Sequence, residues 1–157
     1  MLTMEADTDA RGVKADGQTM MLTLTVADQL CAVPVLAVRD VLGPQAITRI
    51  PLSPAEVAGS LNLRGRIVTA VDLRLRLGLP PRARDEQPMS VVVEQSGELY
   101  SLLADEVGDV LVLGAEGRSG NPPTLEASWK DVVQGVYRRD DRLLLLLDVD
   151  RLLHIGI

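Results

Sequence analysis

The chain has 157 residues and a formal net charge of −6, with no Phe and few aromatics, so Val and Leu must build a core that buries roughly 70% of the unfolded surface. The acidic balance excludes a nucleic-acid footprint, which needs clustered basic surface, and no apolar run approaches the roughly 20 residues that cross a bilayer. The acidic first residues are not a secretory signal, and the single Cys31 excludes an internal disulfide and a Cys-based zinc cage.

Residues 1–18 are polar, Gly-dotted and aperiodic, and read as a flexible tail ahead of a domain at 19–157. From Met20 to Val26 apolar residues alternate with Thr, the two-residue period of a half-buried strand. Ala27, Asp28 and Gln29 supply a turn. Residues 30–38 return as a strand in which Pro34 removes a ladder donor and implies an edge or a bulge. A short strand is expected at 47–50. Residues 51–59 read as a helical turn with Ser53 as N-cap, Pro54 at the first helical position and Gly59 at the far end. Residues 66–73 are a β-branched strand, 73–78 a second helical turn, and 80–88 a solvated connector carrying Arg82, Arg84, Asp85 and Glu86.

The second half repeats this grammar. Strands are expected at 90–94, 99–104, 107–113, 132–136 and 142–149, with a Gly/Pro-rich loop at 114–124. Residues 22–42 can be laid on 91–111 without a gap, placing Asp40 over Asp109. Gly59 stands as far before Asp72 as Gly135 stands before Asp148. Such duplication fixes architecture: two similar units, about 19–80 and 88–153, with strand exchange between them possible. Each has only about 60 residues and is marginal alone, so the two share a core. Many short strands at turn-punctuated spacing favour barrels or a sandwich.

Catalytic chemistry finds no purchase. A nucleophile needs a base beside it, and the only histidine, His154, lies near the end of the chain. Gly114, Gly117 and Gly120 lack the Gly-Lys-Ser/Thr of a phosphate loop. Cys31 reads as a small buried hydrophobe, and Asp72, Asp105, Asp109 and Asp148 as solvated strand ends rather than metal ligands. No enzyme, cofactor or metal is expected.

Only the first repeat carries Asn62-Leu63-Arg64-Gly65, set after a Pro-rich turn and Gly59 and before an Ile/Val strand ending in Asp72-Leu73. With Asp105-Glu106-Val107-Gly108-Asp109-Val110 and the terminal Leu-Asp-Val-Asp-Arg-Leu-Leu, the chain resembles the CheW family of chemotaxis coupling proteins over roughly residues 19–153. The resemblance implies an all-β fold of two SH3-like five-stranded barrels around a shared apolar core, with short helical turns. It also implies a non-enzymatic adaptor joining chemoreceptor cytoplasmic tips to the regulatory domain of a CheA-type histidine kinase, in the cytoplasm at membrane-associated receptor arrays and with no membrane insertion of its own.

Carried over by position, the resemblance places the receptor-facing groove at Val35, Val38, Asp40, Gly59, Arg64 and Gly65, with Val107 from the second unit. It implies an ion pair between Arg64 and Asp40, the arginine forking onto the carboxylate. Asp40 stands where the family usually has Glu, and Leu30-Cys31 replaces an aromatic common after the first turn. Two alternatives stand beside this reading: the same adaptor in a non-motility chemosensory pathway, and a small-ligand-binding β-barrel.

Overall fold

The structure is a computed structural model that describes residues 19–114, 118–119, 127–139 and 142–154. The expected tail at 1–18 and most of the loop at 114–124 lie outside the described residues. The first half forms β1 (Thr19–Val26), β2 (Gln29–Pro34), β3 (Val38–Leu42), β4 (Val57–Leu63), β5 (Arg66–Asp72) and helix α1 (Leu73–Arg76). The second half forms β6 (Met89–Gln95), β7 (Glu98–Ala104), β8 (Glu106–Leu113), β9 (Arg118–Ser119), α2 (Ala127–Lys130), β10 (Val133–Arg139), β11 (Arg142–Leu147) and α3 (Val149–Leu152).

One sheet runs β8-β1-β2-β11-β10, extended by the two-residue β9, and the other runs β3-β6-β7-β5-β4. The orders are the same once each element is replaced by its counterpart in the repeat. The β1–β2 hairpin belongs to the sheet of the second half, and the β6–β7 hairpin to the sheet of the first. Each exchanged hairpin is joined to its host by a parallel pairing: Leu145 opposite Cys31, and Val71 opposite Leu102. These are the two SH3-like five-stranded barrels, closed by borrowed strands.

Strand periodicity sends alternate side chains into different cores. From β11, Leu145 and Leu147 enter a central cluster, while Leu144 and Leu146 enter a smaller one with Met21, Ala32 and Tyr137. From β7, Leu102 and Ala104 face the central cluster and Leu103 faces a third with Leu61, Val68 and Ala70. The central cluster draws on both sheets, so the barrels share a core. Burial on both faces is why these strands read as continuous apolar runs rather than as alternation.

The duplication reaches the irregularities. A register shift at Gly59 in the β4–β5 pair is matched by one at Gly135 in the β10–β11 pair. Asp72 and Asp148, expected as solvated strand ends, each cap the short helix that follows: Asp72 Oδ1 accepts the Arg74 N–H at 3.0 Å, and Asp148 Oδ1 that of Arg151 at 3.3 Å. Across the halves, Arg76 on α1 donates to the carbonyls of Leu152 and Arg151 at 2.9 and 2.8 Å, satisfying the end of α3.

Three local expectations are overturned. The strand expected through residue 38 ends at Pro34, and residues 35–37 form a 3₁₀ turn before β3; proline's missing donor stops the ladder there. No helix forms at 51–59. The Ser53 hydroxyl donates to the Ile50 carbonyl, and strand pairing already begins at Val57, where the Glu56 carbonyl accepts the Asp72 N–H. The strand expected at 47–50 is a single bridge, Thr48 to Ser60.

Candidate functional site

Asn62-Leu63-Arg64-Gly65 is the β4–β5 hairpin turn and its approach. Arg64 and Gly65 both take positive φ, 52° and 87°, the pattern of the two-residue turn that matches strand twist. Asn62 Oδ1 accepts the Gly65 N–H at 2.9 Å and fixes the turn. The turn presents Arg64 to β3, where Arg64 Nη2 lies 3.4 Å from Asp40 Oδ2. This is one contact rather than a fork, and the arginine side chain is 79% exposed. The other Asp40 oxygen accepts the backbone N–H of Val41 at 2.9 Å. Because β3 and β4 are the two ends of their sheet, the pair ties one edge of the barrel to the turn at the other.

Val35, Val38 and Val107 are half-buried and pack against the central cluster from the 3₁₀ turn, from β3 and from β8. Val38 and Val107 are counterparts in the repeat. Val38 sits opposite Val93 and Val107 opposite Leu24, and each is followed by a bulge. In the second bulge Thr23 faces both Gly108 and Asp109, and its hydroxyl donates to the Asp109 carbonyl at 2.8 Å. A Cβ on Gly108 would meet that hydroxyl at 2.6 Å, so glycine lets the bulge close on Thr23. Two pseudo-symmetric valines therefore stand half-exposed beside the shared core, one from each half.

Gly59 is placed differently. It is buried in β4 behind the 47–48 segment, with φ 150°, and a Cβ there would lie 2.2 Å from the Thr48 carbonyl oxygen. Its geometry serves the approach of Thr48, whose N–H and carbonyl both bond Ser60 at 2.8 Å. Gly65 meets nothing within 4 Å, so its glycine is required by φ alone.

Sequence reasoning missed a third constellation. Arg82, expected in a solvated connector, has only 8% of its side chain exposed and lies between Asp72 at 3.2 Å and Asp105 at 2.9 Å. Arg74 adds a bidentate contact, with Nη2 at 2.7 Å from Asp105 Oδ2, and the Ala27 N–H donates to the same oxygen. Burial alone would raise the Asp105 pKa. The bonds from Arg74, Ala27 and Arg82 outweigh it and hold the carboxyl below its usual range. Pro80-Pro81 beside Arg82 was the available signal, a stiffened approach that aims the side chain. The site joins the β1–β2 turn, α1, the connector and the start of β8.

Other chemistry is sparse. The Cys31 thiol is buried and pushed up to about 12 by desolvation, which keeps it inert as a nucleophile. Among the described residues no three His, Cys, Asp or Glu side chains form a group that could hold a metal ion, and no helix is long and apolar enough to cross a membrane.

The model of the CheW-like domain family matches residues 20–155. The chain is 27% identical to a probable chemotaxis protein CheW of Rhizobium etli, over 87% of this chain and 88% of that one. It is 30% identical to chemotaxis protein CheW of Thermotoga maritima, over 85% and 86%, and 30% identical to protein PilI of Pseudomonas aeruginosa, over 71% and 63%. Its fold matches the crystal structure of the scaffolding protein TtCheW from Thermoanaerobacter tengcongensis with a TM-score of 0.77 at 25% identity, covering 88% of this chain and 94% of that one.

Proposed function

The chain belongs to the CheW-like domain family, and on that premise we propose that it is a non-catalytic cytoplasmic scaffold of chemotaxis signalling, joining chemoreceptor tips to the regulatory domain of a CheA-type kinase. The observation that carries the receptor side is the pair of half-buried valines, Val38 and Val107, on equivalent strands of the two halves beside one apolar core. An apolar strip beside a hydrogen-bonding rim suits the face of an amphipathic helix. Val35 widens the strip, and Asp40, Arg64 and Gly65 supply the rim. Gly59 acts from behind by letting Thr48 close on β4.

The adaptor reading is favoured over a ligand-binding barrel by match and by packing. The solved structure that this fold matches is itself named a scaffolding protein, and side chains fill the barrel interiors. One relative is named PilI rather than CheW, and the second reading is accordingly the same adaptor in a different chemosensory pathway. The test is pairwise binding of the purified chain to a receptor cytoplasmic fragment and to a kinase regulatory domain. Saturable binding to each, and a ternary complex when all three are mixed, is the expected result. Binding to neither removes the adaptor reading.

A further inference from the structure

The Arg82 site has a counterpart in the repeat. Laying 22–42 on 91–111 and β4–α1 on β10–α3 matches Leu103 with Pro34, Asp105 with Leu36, Thr25 with Glu94, Asp72 with Asp148 and Arg74 with Asp150. On the first side the connector fills the space. Leu79 packs on the central cluster, and Arg82 bonds Asp72, Asp105 and the Leu103 carbonyl. On the second side a cleft of about 550 Å³ is lined by Leu36 and Val149, by three carboxylates (Glu94, Asp148 and Asp150) and by two arginines (Arg39 and Arg151). No connector occupies it among the described residues.

The charges of the second side are under-used. Glu94 is paired to Arg39 at 2.9 Å, but Asp148 meets Arg151 only at 3.8 Å, where its counterpart Asp72 holds Arg82 at 3.2 Å. Asp150 has no ion pair among the described residues. Leu36, at 48% exposure, and Val149 add an apolar wall. We propose that this cleft binds an extended, arginine-bearing segment of a partner protein in the place that residues 79–82 take on the opposite barrel, with Asp148 and Asp150 as its carboxylates because Leu36 stands where the first side has Asp105. An apolar residue of the segment lies on Leu36 and Val149, and its guanidinium reaches Asp148 and Asp150. Arginine fits better than lysine because its planar fork satisfies two carboxylates at once. None of Val35, Val38, Asp40, Gly59, Arg64, Gly65 or Val107 lines the cleft, which borders Val35 and Val38 through Leu36 and Arg39 and lies away from Arg64 and Val107 in the lining.

The probe is a capped synthetic peptide of the chain's own residues 78–83, Gly-Leu-Pro-Pro-Arg-Ala, titrated into the ¹⁵N-labelled full chain. Saturable shifts at the amides of Leu36, Glu94 and the Asp148–Arg151 segment are expected. Replacing the peptide arginine by citrulline, which keeps its shape without charge, should weaken binding about tenfold. Asp150→Asn should do the same, as should Asp148→Asn, which keeps the helix cap while losing the charge. Arg64→Ala, at the exposed turn of the receptor groove, should leave the titration unchanged, so failure at the receptor groove and failure here are told apart. Absence of saturable shifts at these amides, or equal binding of the citrulline peptide, overturns the proposal. So does binding that appears only after residues 155–157 are removed, which would make the chain's own end the occupant.

Discussion

Gly59 and Thr48 are packed backbone to backbone: a Cβ on Gly59 would stand 2.2 Å from the Thr48 carbonyl oxygen and 2.8 Å from Ile47 Cγ2. The first obstacle is backbone held by two hydrogen bonds to Ser60, so it cannot rotate away as a side chain would. Gly59→Ala adds both a clash and an unfavourable φ, each costing about 1–3 kcal/mol. Urea titration should therefore show a loss of about 3 kcal/mol with an unchanged slope. A loss under about 1 kcal/mol would mean that the 47–48 segment relaxes freely and that the bridge to β4 is dispensable.

Asp105 should set the acid limit of stability. Its carboxyl is held below the usual range by Arg74, Ala27 and Arg82 acting against burial. A depressed folded-state pKa contributes stability that is complete above the unfolded value, about 3.9, and is lost as pH falls through the folded value. Asp105→Asn takes the charge from the main partner of Arg74 while Arg82 keeps Asp72, and should cost about 2 kcal/mol at neutral pH. The gap between the two proteins should start to close as pH falls below about 4 and vanish only below the folded value. Parallel stability curves down to pH 2 would show that the carboxylate's charge is not what holds the connector.

The Arg64–Asp40 pair should matter little to stability. A single 3.4 Å contact to a side chain 79% exposed lies in the class worth about 0–1 kcal/mol. Arg64→Lys, damaging if the arginine forked onto the carboxylate, should be tolerated within about 0.5 kcal/mol. The double-mutant cycle of Arg64→Ala and Asp40→Ala should show coupling of less than 1 kcal/mol in chemical denaturation. In receptor affinity Arg64→Ala should lose more than Asp40→Ala, since the exposed guanidinium has donors left for a partner. Strong coupling in stability would instead make the pair a structural clasp.

Much of this architecture was legible because periodicity and repetition are local. The hairpins around Ala27-Asp28 and Ser96-Gly97, the helical turn after Asp72 and the gap-free echo of residues 22–42 are all written in short stretches. The exchange of hairpins was open in the repeat pattern but not decidable from it, because alternation states that a strand pairs without stating with which neighbour. The helix expected at 51–59 failed for a related reason: local capping chemistry at Ser53-Pro54 lost to the ladder between β4 and β5. Arg82 was hidden because an arginine in a Pro-rich stretch looks solvated until Asp105, distant in sequence, is folded against it. Of the candidate groove residues, Arg64 and Asp40 come into contact, the three valines meet at one core, and Gly59 lies against the 47–48 segment beside another cluster.

Val38→Glu should separate the two partner surfaces. The half-buried valine packs on the central cluster from β3, and glutamate can turn its carboxylate toward solvent, so the fold should survive with a loss of about 1–2 kcal/mol. Receptor-fragment affinity should fall at least tenfold, since an unpaired carboxylate buried under a partner helix costs about 1–3 kcal/mol or more. Kinase-domain affinity should change less than threefold. Equal loss of both partners in a protein with an unaltered circular dichroism spectrum would place them on one surface.

The hairpin exchange makes cooperative unfolding a requirement. A chain ending at residue 84 keeps β1 to β5, but β3 loses its neighbour β6, β5 loses β7, and β1 and β2 lose β8 and β11. Leu22, Leu24 and Val33 would then lack Val93, Leu102, Leu145 and Leu147 across the central cluster. A fragment of that size buries too little apolar area to offset its ordering entropy, and its exposed strand edges invite association. The isolated 19–84 fragment should be poorly dispersed by NMR and aggregate at micromolar concentration, while the full chain should unfold in one transition with coincident fluorescence and circular dichroism midpoints. Trp129 in the central cluster reports the second half by fluorescence, and far-ultraviolet dichroism reports all strands. Separated midpoints would show two independent cores, and a well-dispersed monomeric fragment would show that the β1–β2 hairpin can turn back onto its own half and close it without exchange.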